Sequence, residues 1–113
     1  MIKVNVISNN ILWKKYFKNA HSYIDKKIKK INLKNKSFQK KNLYLTILLS
    51  GNSQIKKLNK KFRNKNKSTD VLSFPFHKKK EFKKKLIKDK EIYLGDIIIN
   101  LNKLLQFLKQ ADV

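Results

Sequence analysis

Cysteine is absent from the 113 residues, which excludes disulfide scaffolds, thiolate zinc sites and cysteine nucleophiles on chemical grounds. Histidine occurs only as His21 and His77, so a catalytic zinc with its usual three protein ligands would need both of them and a carboxylate. Acidic side chains are scarce as well. Seven Asp and Glu stand against 29 Lys and Arg, a formal charge of +22 that attracts polyanions and disfavours packing beside another basic surface. No apolar run approaches the ~18 residues of a membrane-spanning helix, and Met1 to Ile7 alternates like a strand rather than a signal peptide. The expected setting is the cytoplasm, or the matrix or stroma of an organelle, with no membrane partner.

What is present supports a folded domain. Hydrophobic residues make up 41% and aromatic residues 11%, enough apolar surface for a packed interior. A single domain usually takes ~100 to 200 residues, so one core is expected over 1–113. Nucleic acid leads as the partner for so basic a chain, ahead of acidic proteins. Part of the charge is compositional, because lysine, asparagine and isoleucine are favoured by A+T-rich codons and Arg63 is the only arginine.

Apolar periodicity orders the elements. A first strand is followed by Ser8-Asn9-Asn10, which offers N-cap side chains, and by Trp13, Phe17, Ala20, Ile24, Ile28 and Ile31 at spacings of 4, 3, 4, 4 and 3. That spacing predicts one long helix laid on a core. A polar connection from Asn32 to Asn42 leads to the near-continuous apolar run Leu43 to Leu49, which suits a strand covered on both faces. The pair of strands should lie parallel through a right-handed crossover. Ser50 to Ser53 reads as a turn and cap, and Ile55, Leu58 and Phe62 mark a second, short helix with lysine in its last turn. Val71 to Phe76 reads as an edge strand, since Pro75 cannot donate a ladder hydrogen bond; Leu72, Phe74 and Phe76 share one face. The lysine-rich His77 to Lys90 reads as a solvated excursion, with His77 exposed. Ile92 to Asn100 is a last strand, antiparallel to its predecessor, and Leu101, Leu104, Leu105 and Leu108 begin a third helix. No capping glycine follows at Gln110 to Val113, which fits either a cut chain or a short frayed terminal helix.

The densest chemistry lies between Leu58 and Phe76. A loop carrying Arg63, Lys65 and Lys67 between a helix end and a strand start can wrap a phosphate, the arginine fork giving paired hydrogen bonds and the lysines point charges. Thr69 and Ser73 would add neutral donors. A lone arginine among so many lysines points to a need for a planar guanidinium, or equally to a structural ion pair with Asp70 or Asp96.

The run from Leu58 to Phe76, followed after a variable loop by Leu94-Gly95-Asp96-Ile97-Ile98-Ile99, resembles the signature of the YbeY endoribonucleases, the ribosomal RNA maturation factors. It joins a helix ending in Leu-Asn, the aromatic-Arg pair Phe62-Arg63, a basic loop, Thr69 to Pro75 and a downstream Leu-Gly-Asp-Ile, in that order. The order of elements matches too, so the resemblance spans essentially the whole chain.

The resemblance implies an α+β fold: a small mixed β-sheet of about four strands packed with helices in one domain. It implies an active-site cleft in which Arg63 is catalytic and grips the RNA phosphate, with Lys60, Lys61, Lys65, Lys67, Thr69 and Ser73 around it. Ser73 and Phe74 would line that cleft, although Leu72, Phe74 and Phe76 are read first as core residues. Gly95 and Asp96 would serve the geometry and hydrogen bonding of the last strand. Zinc is the implied cofactor, held by three histidines in a His-Gly-x-Leu-His-Leu-x-Gly-Tyr-Asp-His motif beyond the third helix. That motif is not in this sequence, and neither His21, read as a half-buried or surface imidazole, nor His77 is read as a ligand. The chain is therefore expected to be C-terminally truncated and catalytically incomplete, with a contiguous apolar patch on the third helix where further helices would pack. The expected partners are ribosomal or other single-stranded RNA and a ribosome-associated protein. Two further readings are a non-catalytic basic RNA-binding module and a degenerate gene product.

Overall fold

Alternation of apolar and polar residues makes β1 (Ile2–Ser8) a strand with one covered face: Ile2, Val4 and Val6 are half-buried while Lys3, Asn5 and Ile7 are exposed. A computed structural model describes residues 1–8, 11–36 and 40–111, excepting the side chains of Leu12 and of residues 107–111. After β1 come α1 (Ile11–Tyr16), α2 (Ala20–Lys34), β2 (Asn42–Ser50), α3 (Asn52–Arg63), β3 (Val71–Pro75), α4 (Lys79–Lys88), β4 (Glu91–Asn100) and α5 (Leu101–Ala111). The expected caps Asn9 and Asn10, the Leu108 side chain, residues 37–39 of the polar connection, and Asp112 and Val113 lie outside the described residues.

The four strands form one mixed sheet in the order β1-β2-β4-β3, with β1, β2 and β4 parallel and β3 antiparallel to β4. The α+β architecture is the expected one. β2 is central, which explains its continuous apolar run. Helices cover both faces. On one, Trp13, Phe17, Ala20 and Ile24 from the first helical segment and Leu101, Leu104 and Leu105 from α5 pack on Ile47 and Leu49. On the other, Ile55 and Leu58 of α3 pack against Leu72, Phe74 and Ile98.

The long first helix is two helices. Ala20 donates its N–H to Phe17 O at 3.1 Å, a tight turn, and α2 restarts with Tyr23 N–H on Asn19 O at 2.9 Å. Asn19 favours a helix boundary over an interior. The break lets Phe17 and Ala20 reach the same core, so apolar spacing survives across it. Lysine-rich residues 79–88 are also corrected: they form α4 rather than a solvated excursion. Phe82 and Leu86, four residues apart, supply its half-buried side, and lysine itself forms helices well.

Ile31 of α2 and Phe62 of α3, read as part of apolar helix faces, are exposed, and two further side chains differ from expectation. Phe76 lies past the end of β3 and is 66% exposed, so it is not core. His77 is covered instead of solvated: its side chain is 10% exposed, its ring lies 4.9 Å from Phe76, and Nδ1 is 3.8 Å from a Glu81 carboxylate oxygen.

Gly95 sets the geometry of the β3 edge. Leu94 is an extra residue in the β2–β4 ladder, which passes from Tyr44↔Tyr93 to Leu45↔Gly95. Gly95 there takes a φ of +142°, and a Cβ on it would stand 2.3 Å from Phe74 O. Only glycine allows β3 so close. Between the first helices and α5 an apolar hollow of about 490 Å³ is lined by Trp13, Phe17, Tyr23, Ile24, Ile99 and Leu104, at the face where an apolar patch was expected.

Candidate nucleic-acid interface

Arg63 is the last residue of α3, and Asn64 ends the helix in the left-handed region at φ 55°. Asparagine tolerates that conformation better than most side chains. The basic loop then folds back on the helix that precedes it: Lys65 N–H donates to Asn59 O at 3.3 Å, and Asn59 Nδ2 donates to Lys67 O at 2.9 Å. Asn59 is 3% exposed, so a buried amide fixes a surface loop.

The Arg63 guanidinium reaches sideways to β3. Its Nη2 donates to Ser73 O at 3.0 Å, and its carbon lies 5.9 Å from the centre of the Phe74 ring. The same ring meets Phe62 edge-on at 5.4 Å. One aromatic side chain, half-buried on the core cluster, thus supports both members of the Phe62-Arg63 pair. Arginine carries five N–H donors in a planar fork, and one contact to a carbonyl leaves the others for a ligand. Neither acid considered as an ion-pair partner holds it. Asp70 accepts from Thr69 Oγ1 at 3.3 Å, and Asp96 accepts from the Tyr93 hydroxyl. That bond to Asp96, with partial desolvation, holds the Tyr93 phenol above its ordinary pKa of 10.0, against a smaller opposing effect of Thr46.

The structure brings together Arg63, Ser73 and Phe74. Lys60, Lys61, Lys65 and Lys67 are all exposed, with Lys61 Nζ 5.3 Å from the centre of the Phe62 ring. Arg63 is itself exposed, on the flank of an edge strand, and is not in the lining of the adjacent cavity of about 730 Å³. Thr69 lines that cavity together with Asp70, Asn100 and Lys103. Its carbonyl accepts from Asn100 Nδ2 at 2.9 Å.

Asn100 and Asn59 are the organising residues that the sequence reading missed. Asn100 is fully buried; besides Thr69 O, its amide donates to Asn52 Oδ1 at 2.7 Å, and its Oδ1 accepts from Asn102 N–H at 3.0 Å. Its backbone N–H donates to Asp70 O at 2.9 Å. It therefore joins the starts of α3 and α5 to the end of the basic loop. The available signal was an asparagine at an apolar position: Asn59 lies four residues after buried Ile55, and Asn100 interrupts the run from Ile97 to Leu101.

His21 is exposed on α2, and His77 lies two residues beyond β3. Among the described residues no three His, Cys, Asp or Glu side chains come together. These residues therefore do not fit a zinc ion, and no chemical step is assigned to one.

A mixed sheet flanked by helices, with a lone arginine and several lysines beside its antiparallel edge, defines a small α+β protein suited to binding a polyanion. Sequence comparison makes this specific. The family model described as Endoribonuclease YbeY matches residues 7–112. The chain is 52% identical over 100 residues to the Endoribonuclease YbeY of Pelagibacter ubique, covering 88% of this chain and 61% of that protein. It is 34% identical over 112 residues to that of Thermodesulfovibrio yellowstonii, covering 97% and 64%, and 45% identical over 78 residues to that of Caldicellulosiruptor bescii, covering 64% and 48%. The chain belongs to the YbeY family. It spans less than two thirds of the length of these relatives.

Proposed function

We propose that this chain forms the RNA-gripping part of a YbeY-type endoribonuclease, a hydrolase that trims single-stranded ribosomal RNA in the cytoplasm. One observation carries the reading: the only arginine is braced by Ser73 O and the Phe74 ring, and among the described residues no carboxylate pairs with it. A guanidinium held this way presents its remaining N–H donors to the two non-bridging oxygens of a phosphodiester. Lys60, Lys61, Lys65 and Lys67 add charge, the Ser73 hydroxyl offers a neutral donor, and Thr69 could donate to a phosphate only by giving up its bond to Asp70. In hydrolysis the Arg63 fork would also stabilise the negative charge that grows on those oxygens in the transition state. The lysines act on binding and orientation. Residues 1–113 act as one domain in this reading, and zinc, the metal implied by the family resemblance, would draw on ligands other than the described residues. No helix among the described residues is long and apolar enough to cross a membrane. A ribosome-associated protein would deliver the RNA end.

The test is titration of a single-stranded fragment of ribosomal RNA with the wild type and with Arg63→Lys. Arg63→Lys keeps the charge and removes the fork, so a specific site should lose about tenfold in affinity, the ~1–2 kcal/mol of one charge-assisted bond pair. Equal affinity would mean that a diffuse lysine field binds RNA, as in the non-catalytic module.

A further inference from the structure

The segment between β3 and β4 holds eight lysines from Lys78 to Lys90, and α4 arranges them. At 3.6 residues per turn, Lys79, Lys80, Lys83, Lys84 and Lys88 fill one arc of about half the helix circumference, and Ile87 falls inside it. All five lysines are exposed, and Ile87 is 84% exposed. The nearby acids are engaged elsewhere: Glu81 faces His77 at 3.8 Å and Asp89 pairs with Lys85 at 3.6 Å. Lys79 and Lys83, Lys80 and Lys84, and Lys84 and Lys88 are therefore like charges four apart, and Glu81, the carboxylate within the first two spans, lies at the border of the arc and faces His77. Such pairs weaken a helix until an anion bridges them.

Placement in the fold gives this arc a partner. β3 is the edge strand; Arg63 lies against Ser73 within it, and α4 begins four residues after its last residue, Pro75. The five residues of β3 extend about 17 Å, and the ten residues of α4 about 15 Å more. The lysines of α2 lie elsewhere, on a helix tied to β1 at the opposite edge through Asn32 and Ile2.

We propose that the exposed lysine arc of α4 is a second phosphate-binding surface, continuous with Arg63 along the free edge of β3, for the same single RNA strand. The inference rests on the reading of Arg63 given above. Charge complementarity selects the occupant: a row of five exposed lysines, with its bordering acids turned to His77 and Lys85, suits a phosphodiester backbone. Ile87, central in the arc, would be covered by the bound strand.

The experiment compares oligouridylate binding over a salt series by the wild type, K80Q/K84Q/K88Q, K26Q/K29Q/K30Q and Arg63→Ala. The first two variants remove the same charge from exposed positions, one on α4 and one on α2. Three lost contacts should lower the slope of log K against log salt by about 2 for the α4 variant, and its affinity about fiftyfold at 0.15 M salt. The α2 variant should keep the wild-type slope. Amide exchange in α4 should slow on binding in the wild type and the α2 variant, and not in the α4 variant. Equal effects of the two triple variants would overturn the α4 surface, as would protection of α4 by anionic phospholipid vesicles and not by RNA. Loss of affinity in the α4 variant with none in Arg63→Ala would instead overturn the reading of Arg63 and leave the lysine arc standing.

Discussion

Replacing Gly95 with alanine tests how tightly β3 is held against β4, and with it the platform under Arg63. The new methyl group would meet Phe74 O at 2.3 Å, Pro75 Cα at 3.0 Å and Phe74 C at 3.1 Å, all backbone atoms. They cannot yield easily, because Phe76 N–H donates to Leu94 O at 2.9 Å and ties the two strands beside the bulge. A side chain held at this φ costs about 1–3 kcal/mol, and forcing a methyl into filled space costs a similar amount. The sum, about 4 kcal/mol, is a large share of the ~5–15 kcal/mol that holds a small domain together. With a urea dependence of about 2 kcal/mol per molar, the unfolding midpoint should fall by about 2 M. Equilibrium unfolding followed by tryptophan fluorescence is the assay, since Trp13 is buried on the opposite face of the sheet and reports global unfolding. A midpoint unchanged to within ~0.25 M, about 0.5 kcal/mol, would refute the reasoning.

Three other perturbations follow from the same contacts. Asn100→Ala removes the part-buried bonds to Thr69 O, Asn52 Oδ1 and Asn102 N–H; at about 1 kcal/mol per bond lost the melting temperature should drop by about 10 °C or more, and a drop under ~3 °C would contradict the network. Asn59→Ala removes the bond to Lys67 O and should cost about 1 kcal/mol while speeding amide exchange at Lys65 and Lys67; unchanged exchange would show that the loop is held by other means. Tyr93 has its pKa raised in the fold, chiefly by its bond to Asp96. Its contribution to stability is therefore complete below about pH 10 and lost as pH rises through the raised folded value, so Tyr93→Phe should flatten stability measured across that alkaline range.

The sheet was legible because its strands carry their own pattern. Alternation in Ile2 to Ile7, the apolar run of β2 and the proline of β3 each correspond to a position in the sheet: half-covered edge, centre, free edge. The split at Phe17 to Ala20 was hidden because apolar spacing continues through it. Helix α4 was hidden because ten residues with six lysines look like solvent-facing chain, and only the Phe82–Leu86 pair betrays a covered side. At the candidate site, Arg63 stood out in the sequence by its singularity and by the family signature. Its contact with Ser73 O was not, since that depends on which carbonyls an edge strand turns outward. Asn59 and Asn100 escaped because polarity and burial are opposite signals, and a sequence shows only the first.

A single arginine also makes the central claim directly measurable. In a ¹⁵N-labelled sample only one arginine side chain contributes an Nε–H resonance, so it needs no assignment by mutation. Titrating single-stranded ribosomal RNA into that sample should shift the resonance downfield and protect it from exchange with water at the same RNA concentration that saturates binding. A resonance that stays in place while the lysine-rich segments respond would show that Arg63 merely braces β3 and that RNA is held by charge alone.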